Sequence, residues 1–266
     1  MKRRQYIFAA LALCAAILLA SCTNMLAELR GNKENKETVS YSVGDVLLND
    51  GTIIPYDAEN LSFTEEQKKK AVGVLYGVDE YGKPRGWLGL YNSSSGTNSG
   101  TYCWAPAGTT GYNTKFSDIV CTPSTTAVFA ADTATFEDDT DGRNNWEYIC
   151  FVDPEGTADA AAVAKNYPAF SYVNSYGTTF GLTGKYVDGW YMPSLAELCC
   201  IYRSKEVLNA VLGALGGTQL FSDYYWSSSQ GGYSGSGAWL VGFDRGGVYG
   251  SGKNLSYYVC CVRAFN

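Results

Sequence analysis

Two stretches near the end of the chain decide how it reads: Tyr225-Trp226-Ser227-Ser228-Ser229 and Ala238-Trp239-Leu240-Val241-Gly242-Phe243-Asp244-Arg245-Gly246. Between them, Gly231 to Gly237 contains only Gly, Ser and Tyr, and the chain closes on Val259-Cys260-Cys261-Val262-Arg263-Ala264-Phe265. Successive side chains of a strand point to opposite faces. A strand over 238–244 therefore puts Trp239, Val241 and Phe243 on one face and Leu240, Gly242 and Asp244 on the other. The first face is suited to a core, and the second is left for recognition chemistry.

Upstream of these strands lies the clearest helix start, Met192-Pro193-Ser194-Leu195-Ala196-Glu197. Ser194 can accept from the Glu197 backbone N–H while Glu197 reaches back, a capping box ahead of apolar Leu195, Leu198 and Ile201. A second helical stretch, Ser204 to Leu215, stops at Gly216-Gly217. Asp141 is placed to cap a helix carrying Trp146, Ile149 and Phe151 that ends at Pro154-Glu155-Gly156. Residues 157–176 read as partly helical with a break at Pro168. In the first half, Val43 to Pro55 predicts two short strands around the turn Asn49-Asp50-Gly51. Thr64-Glu65-Glu66-Gln67 predicts a capped helical turn, and Val72 to Val78 another strand. The Gly-, Ser-, Thr- and Asn-rich region from Tyr91 to Phe136 reads as long loops with short strands.

The N-terminus has the form of a secretion leader. Lys2, Arg3 and Arg4 precede an apolar run from Tyr6 to Ala20, which is short for a membrane span. Leu19-Ala20-Ser21-Cys22 has the pattern of a bacterial lipobox, with Cys22 as the lipid-bearing first residue after cleavage of residues 1–21. Several acyl chains on one cysteine would hold the protein stably on a membrane. Residues 22–40 are polar and charged and read as a flexible tether. The expected domain then spans 41–266. The localisation that follows is a membrane-anchored bacterial lipoprotein, exposed at the outer-membrane surface.

The full chain carries a formal charge of −6, and without Lys2, Arg3 and Arg4 its 17 basic side chains face 26 acidic ones. That balance argues against nucleic acid as a partner, which needs a basic footprint. The absence of histidine removes His-based triads, His general bases and imidazole metal sites. Gly247-x-x-x-x-Gly252-Lys253 imitates a phosphate loop, but Asn254 replaces the Ser or Thr that would bind magnesium. Asp138-Asp139-Thr140-Asp141-Gly142 lacks the spacing of a calcium loop and reads instead as a helix cap in an acidic turn. Seven of the nine cysteines fall in the body, and none has C-x-x-C spacing, so buried free thiols are expected. No catalytic residue, cofactor or metal is expected.

Three segments in order resemble one family. Asp188-Gly189-Trp190-Tyr191-Met192-Pro193-Ser194-Leu195-Ala196-Glu197-Leu198, Tyr225-Trp226-Ser227-Ser228 and the ending Ala238-Trp239, Phe243, Val262-Arg263 are similar to bacterial C-type-lectin-like domains of the formylglycine-generating-enzyme type. Asp141-Gly142-Arg143-Asn144-Asn145 fits the family's first helix entry. The fold implied is α+β, with a small antiparallel core sheet, two main helices and long irregular loops. The ending further resembles the variable proteins of diversity-generating retroelements, treponemal variable lipoproteins among them. In those proteins adenine-directed mutagenesis rewrites chosen codons and the fold displays the products as a ligand-binding surface. Asn codons rewritten this way cannot yield Lys, Glu, Gln, Trp or Met. Between Gly231 and Tyr257 only Trp239 and Lys253 belong to that set.

The resemblance implies ligand-binding, variable positions at Gly232, Tyr233, Ser234, Gly235, Ser236, Leu240, Gly242, Asp244, Arg245, Gly247, Tyr249, Ser251, Asn254, Leu255, Ser256 and Tyr257. Tyrosine offers large contact at low entropic cost, and Gly and Ser allow close approach. Tyr233, Tyr249 and Tyr257 are the expected anchors, followed by Leu240, Asp244 and Arg245. Trp190, Trp226 and Trp239 are expected to pack in the core, and Arg263 to meet a buried carboxylate. The expected partner is an unknown extracellular ligand, protein or cell-surface molecule, bound by a monomer. Two rivals stand beside this reading: an invariant adhesin-like or structural lipoprotein, and an enzyme of the formylglycine-generating kind with reactive thiols at Cys260 or Cys261.

Overall fold

The computed structural model describes residues 40–96, 99–232 and 234–265. Cys22, the expected lipobox and all of the expected tether but Ser40 lie outside the described residues, as does Tyr233. From Tyr41 onward the chain packs as one compact α+β unit.

Its centre is a six-stranded sheet of β1 (Val46–Leu48), β2 (Ile53–Ile54), β3 (Ala71–Val78), β4 (Pro84–Asn92), β8 (Trp190–Tyr191) and β13 (Cys260–Ala264), in the order β2-β1-β3-β4-β13-β8. Every pairing in it is antiparallel. The last strand, β13, thus sits between β4 and β8 and clamps the end of the chain into the middle of the fold. A smaller antiparallel sheet, β11-β10-β9, joins β9 (Tyr224–Gln230), β10 (Gly237–Gly242) and β11 (Gly247–Gly252). Two ribbons complete the framework. In one, β5 (Tyr102–Cys103) pairs with β12 (Ser256–Tyr257), and in the other β6 (Cys121–Pro123) pairs with β7 (Phe136–Asp138).

The local signals account for most of these elements. The Asn49-Asp50-Gly51 turn connects β1 to β2, with Gly51 at φ +89°. Capping boxes at Thr64 and Ser194 start the helices Glu65–Lys70 and Leu195–Arg203. Gly216, at φ +79°, ends the helix Lys205–Leu215. Pro168 occupies the first turn of the helix Pro168–Asn174, where its missing N–H costs nothing. One core strand is absent from the sequence reading. Pro84–Asn92 carries apolar Trp87, Leu88 and Leu90 on both faces, so it lacks the polar alternation that marks a half-buried strand.

Both faces of the central sheet are covered. On one side Val74, Tyr76, Leu88 and Val262 pack with Leu198, Ile201, Leu208 and Leu212 of the two long helices. On the other, Leu75, Trp87 and Cys261 meet an aromatic layer of Trp104, Phe116, Tyr167, Phe170 and Tyr176. Burying an aromatic side chain contributes about 1.5–3 kcal/mol, so this layer is a major part of the folding free energy.

Candidate ligand-recognition surface

The motif residues build the platform under the β9–β11 sheet. Glu197 is buried and accepts four hydrogen bonds: from Tyr76 Oη at 3.0 Å, Tyr191 Oη at 2.9 Å, and the backbone N–H groups of Gly142 and Ser194, each at 2.9 Å. Burial raises its pKa, opposed by those donors. Gly142 must be glycine here, since a methyl group would lie 2.6 Å from Met192 O. Next to it, Asp139 Oδ2 accepts from Asn145 Nδ2 at 2.8 Å and Ser229 Oγ at 2.7 Å, and burial pushes its pKa up to about 6. Asn145 Nδ2 also donates to Ser228 Oγ at 2.8 Å, and Leu195 N donates to Ser229 Oγ at 2.8 Å. The helix entry at 141–145, the capping box at 194–197 and the serines of β9 therefore form one buried polar network. Asp141 caps the short 3-10 turn Gly142–Asn144, accepting from Arg143 N at 3.0 Å, and that turn leads into the helix Asn145–Val152 that it was expected to cap directly.

The three tryptophans lie in the core with their indole N–H groups bonded. Trp190 donates to Tyr186 O at 2.8 Å, Trp226 to Tyr102 O at 2.9 Å, and Trp239 to Cys121 O at 2.8 Å. Arg263 departs from expectation. Its guanidinium donates to the Asp188 backbone carbonyl and lies 5.5 Å from the centroid of the Tyr186 ring. A carbonyl and an aromatic face thus take the place of the expected carboxylate.

Strand β10 also corrects an expectation. Trp239, Val241 and Phe243 enter the core as expected, but Ala238 and Leu240 on the opposite face are buried too, Leu240 to 2% exposure. β10 is the central strand of its sheet, and Leu240 lies directly between Trp226 of β9 and Tyr249 of β11. Gly242 and Gly247 are buried in the same way, Gly242 against the Tyr224 ring and Gly247 against the Tyr249 ring. As the chain stands, Leu240, Gly242 and Gly247 form the floor of the surface.

The floor is roofed by tyrosines. The ring centroids of Tyr224 and Tyr249 are 6.0 Å apart, those of Tyr224 and Tyr257 5.8 Å, and those of Trp226 and Tyr257 5.0 Å, all edge-to-face. Tyr257 Oη lies 3.1 Å from Ser251 Oγ. Tyr224 is exposed, and Tyr249, Tyr257 and Ser251 are half-buried. Tyr224 went unnoticed in the sequence, although strand alternation from Trp226 places it on this face. Around the cluster, Ser234, Asp244, Arg245, Asn254, Leu255 and Ser256 are exposed, while Gly232, Gly235 and Ser236 are half-buried.

Two buried polar residues fix the loops that carry these groups. Gln230 Nε2 donates to the carbonyls of Thr114, Ser234 and Gly235 at 3.0–3.2 Å, and its Oε1 accepts from Phe116 N at 2.8 Å. Lys253 Nζ donates to Gly111 O at 2.7 Å and Thr114 O at 3.1 Å, and lies 4.3 Å from the Trp104 ring centroid. Burial pushes the Lys253 ammonium down to about 7. With its side chain enclosed and its backbone at the end of β11, Gly247 to Lys253 is not a phosphate loop.

At the turn after β10, a loop from the middle of the chain joins the surface. Phe129 N donates to Arg245 O at 3.0 Å and Ala131 N to Gly246 O at 2.8 Å. This brings exposed Val128 and Phe129 beside Asp244 and Arg245, with Phe129 at φ +69°. No local pattern in 124–131 announces this contact.

All seven described cysteines are free: Cys121, Cys199, Cys260 and Cys261 buried, Cys103, Cys150 and Cys200 half-buried. Burial pushes Cys260 up to about 12 and raises Cys261 well above an ordinary thiol.

No protein-family model matches the chain, and no curated protein does. Among solved structures it is similar to a fimbrial protein from Bacteroides ovatus, with 18% identity and a TM-score of 0.54. The likeness covers 84% of this chain and 49% of that one, so the chain spans about half the length of the fimbrial protein.

Proposed function

We propose that this chain is a surface-displayed lipoprotein with a C-type-lectin-like domain, which binds ligands through the β9–β11 sheet and its turns. Cys22 carries the lipid and residues 22–40 tether the domain. The ligand-contacting residues are those a diversity-generating retroelement rewrites, and the protein is a binding module without catalytic chemistry.

The partition of residue types carries the reading. In and beside the 231–257 segment, the residues that rewritten Asn codons cannot encode, Gln230, Trp239 and Lys253, are all buried and hold the scaffold. The exposed positions among the described residues are Gly, Ser, Asp, Arg, Asn and Leu, flanked by half-buried Gly, Ser and Tyr. A scaffold so fixed tolerates exchange at its surface, and preorganisation limits the ordering cost of binding. The elevated thiol pKa values of Cys260 and Cys261 favour binding over the enzymatic rival.

The test is deep sequencing of codons 225–265 across one natural population. Changes concentrated at the exposed and half-buried positions, sparing Gln230, Trp239 and Lys253, are the expected result. Uniform codons would overturn the diversification and leave an invariant adhesin-like lipoprotein, a reading that the likeness to a fimbrial protein also favours.

A further inference from the structure

At the end of the small sheet a cleft of about 280 Å³ opens between Gly231, Ser234, Ser236 and Gly237 on one side and the end of β11 on the other. Its floor is Trp239, held by the hydrogen bond from its indole N–H to Cys121 O. Two glycines stand where side chains would cover that ring. A methyl group at Gly250 would lie 3.6 Å from Trp239 Cζ3 and 3.9 Å from Cε3, and one at Gly231 would lie 3.8 Å from Cε2. These are van der Waals distances to ring atoms. Any group entering beside these glycines would therefore rest against the indole.

We propose that the cleft between Gly231, Trp239 and Gly250 is a slot for one uncharged aromatic ring of the ligand. The inference rests on the recognition role proposed above for the β9–β11 sheet and its turns, and adds a site on the Trp239 face of that sheet, opposite the tyrosine cluster.

Size, polarity and rigidity carry the assignment. A cavity of about 150 Å³ accommodates benzene, so 280 Å³ holds a substituted ring. Among the described residues the lining consists of Gly, Ser, Ala and Trp, with no charged side chain to compensate an ion. Ser234 and Ser236 of this lining have their hydroxyls 3.3 Å apart, and the indole N–H of the floor is already bonded. An edge or face of an aromatic guest meets Trp239 without leaving a buried donor unpaired. The walls are fixed before any ligand arrives: Gln230 holds the carbonyls of Ser234 and Gly235, and Lys253 N donates to Ser236 O at 2.8 Å. Aromatic side chains seated in such pockets dominate protein interfaces.

The experiment uses the full-length chain carrying Cys22→Ser, to keep it free of lipid, with its six tryptophans replaced by 5-fluorotryptophan. The ¹⁹F signal of Trp239 is assigned by its loss in Trp239→Phe. Titration with p-cresol should move that signal saturably, with a millimolar Kd, while methyl α-glucoside should leave it unmoved. Gly250→Val should weaken p-cresol at least tenfold with the other five signals in place, which shows that the fold is intact. Gly231→Ala, a smaller intrusion, should weaken it by less. A Trp239 signal that does not move with p-cresol, that responds equally in Gly250→Val, or that answers to the glycoside instead overturns the slot. Codon sequencing tests the diversified surface separately: uniform codons with saturable p-cresol binding would leave the slot standing in an invariant protein.

Discussion

Glu197→Gln tests whether the framework under the β9–β11 sheet rests on one buried carboxylate. Two oxygens of Glu197 now satisfy four donors, two backbone N–H groups on Oε2 and two phenols on Oε1. Glutamine has one acceptor oxygen. If that oxygen serves the N–H groups of Gly142 and Ser194, the new NH₂ faces Tyr76 and Tyr191. It can donate to their oxygens, but the two phenolic protons then lose their acceptor. Each orphaned buried donor costs about 1–3 kcal/mol, partly offset by removing a desolvated charge, so a net loss of about 2–4 kcal/mol follows. With an m value of about 2–3 kcal/mol/M, the urea midpoint falls by about 1 M. Tryptophan fluorescence reports the transition, since Trp87, Trp104 and Trp226 are buried. Adding Tyr76→Phe should recover part of the loss, because phenylalanine has no proton to orphan. A midpoint unchanged by Glu197→Gln at constant m, or strict additivity of the two substitutions, would refute the reasoning.

Three further outcomes follow from the same geometry. Asp139 has a folded pKa raised from 3.8 to about 6, so the folded state binds the extra proton between those values and stability falls as pH rises from about 4 to 6. Asp139→Asn keeps the acceptor for Ser229 and Asn145 and should flatten that part of the pH–stability curve in urea titrations; an unchanged slope would show that Asp139 is not its source. Native-state titration with a thiol reagent should label the half-buried Cys103, Cys150 and Cys200 first and leave Cys121, Cys199, Cys260 and Cys261 silent until denaturant is added, as mass mapping of the labelled peptides can show. Phe129→Gly should raise the unfolding temperature. Its left-handed backbone costs a non-glycine residue about 1–2 kcal/mol, while its exposed ring contributes little burial; a lower Tm would mean that the ring packs more than its exposure indicates.

Much of the scaffold was legible because its signals are local. The capping boxes at Thr64 and Ser194, the Asn49-Asp50-Gly51 turn, the stop at Gly216 and the cap at Asp141 each depend on residues within a few positions of one another. Core burial of Trp190, Trp226 and Trp239 was likewise legible from their places in strand and motif. Strand β4 was not, because a strand buried on both faces shows no alternation.

At the proposed recognition surface the division follows the range of the interactions. The sequence by itself determined which segment turns polar, small and tyrosine-rich, and which residues on β10 point together, because strand periodicity is a property of consecutive residues. Only the tertiary structure decided that Leu240, Gly242 and Gly247 lie beneath Tyr224, Tyr249 and Tyr257. It alone showed that the loop at Phe129 borders the turn at Arg245, and that Lys253 reaches back to Gly111 and Thr114. Whether a face is free or covered depends on what packs over it from elsewhere in the chain, and no local pattern encodes that contact.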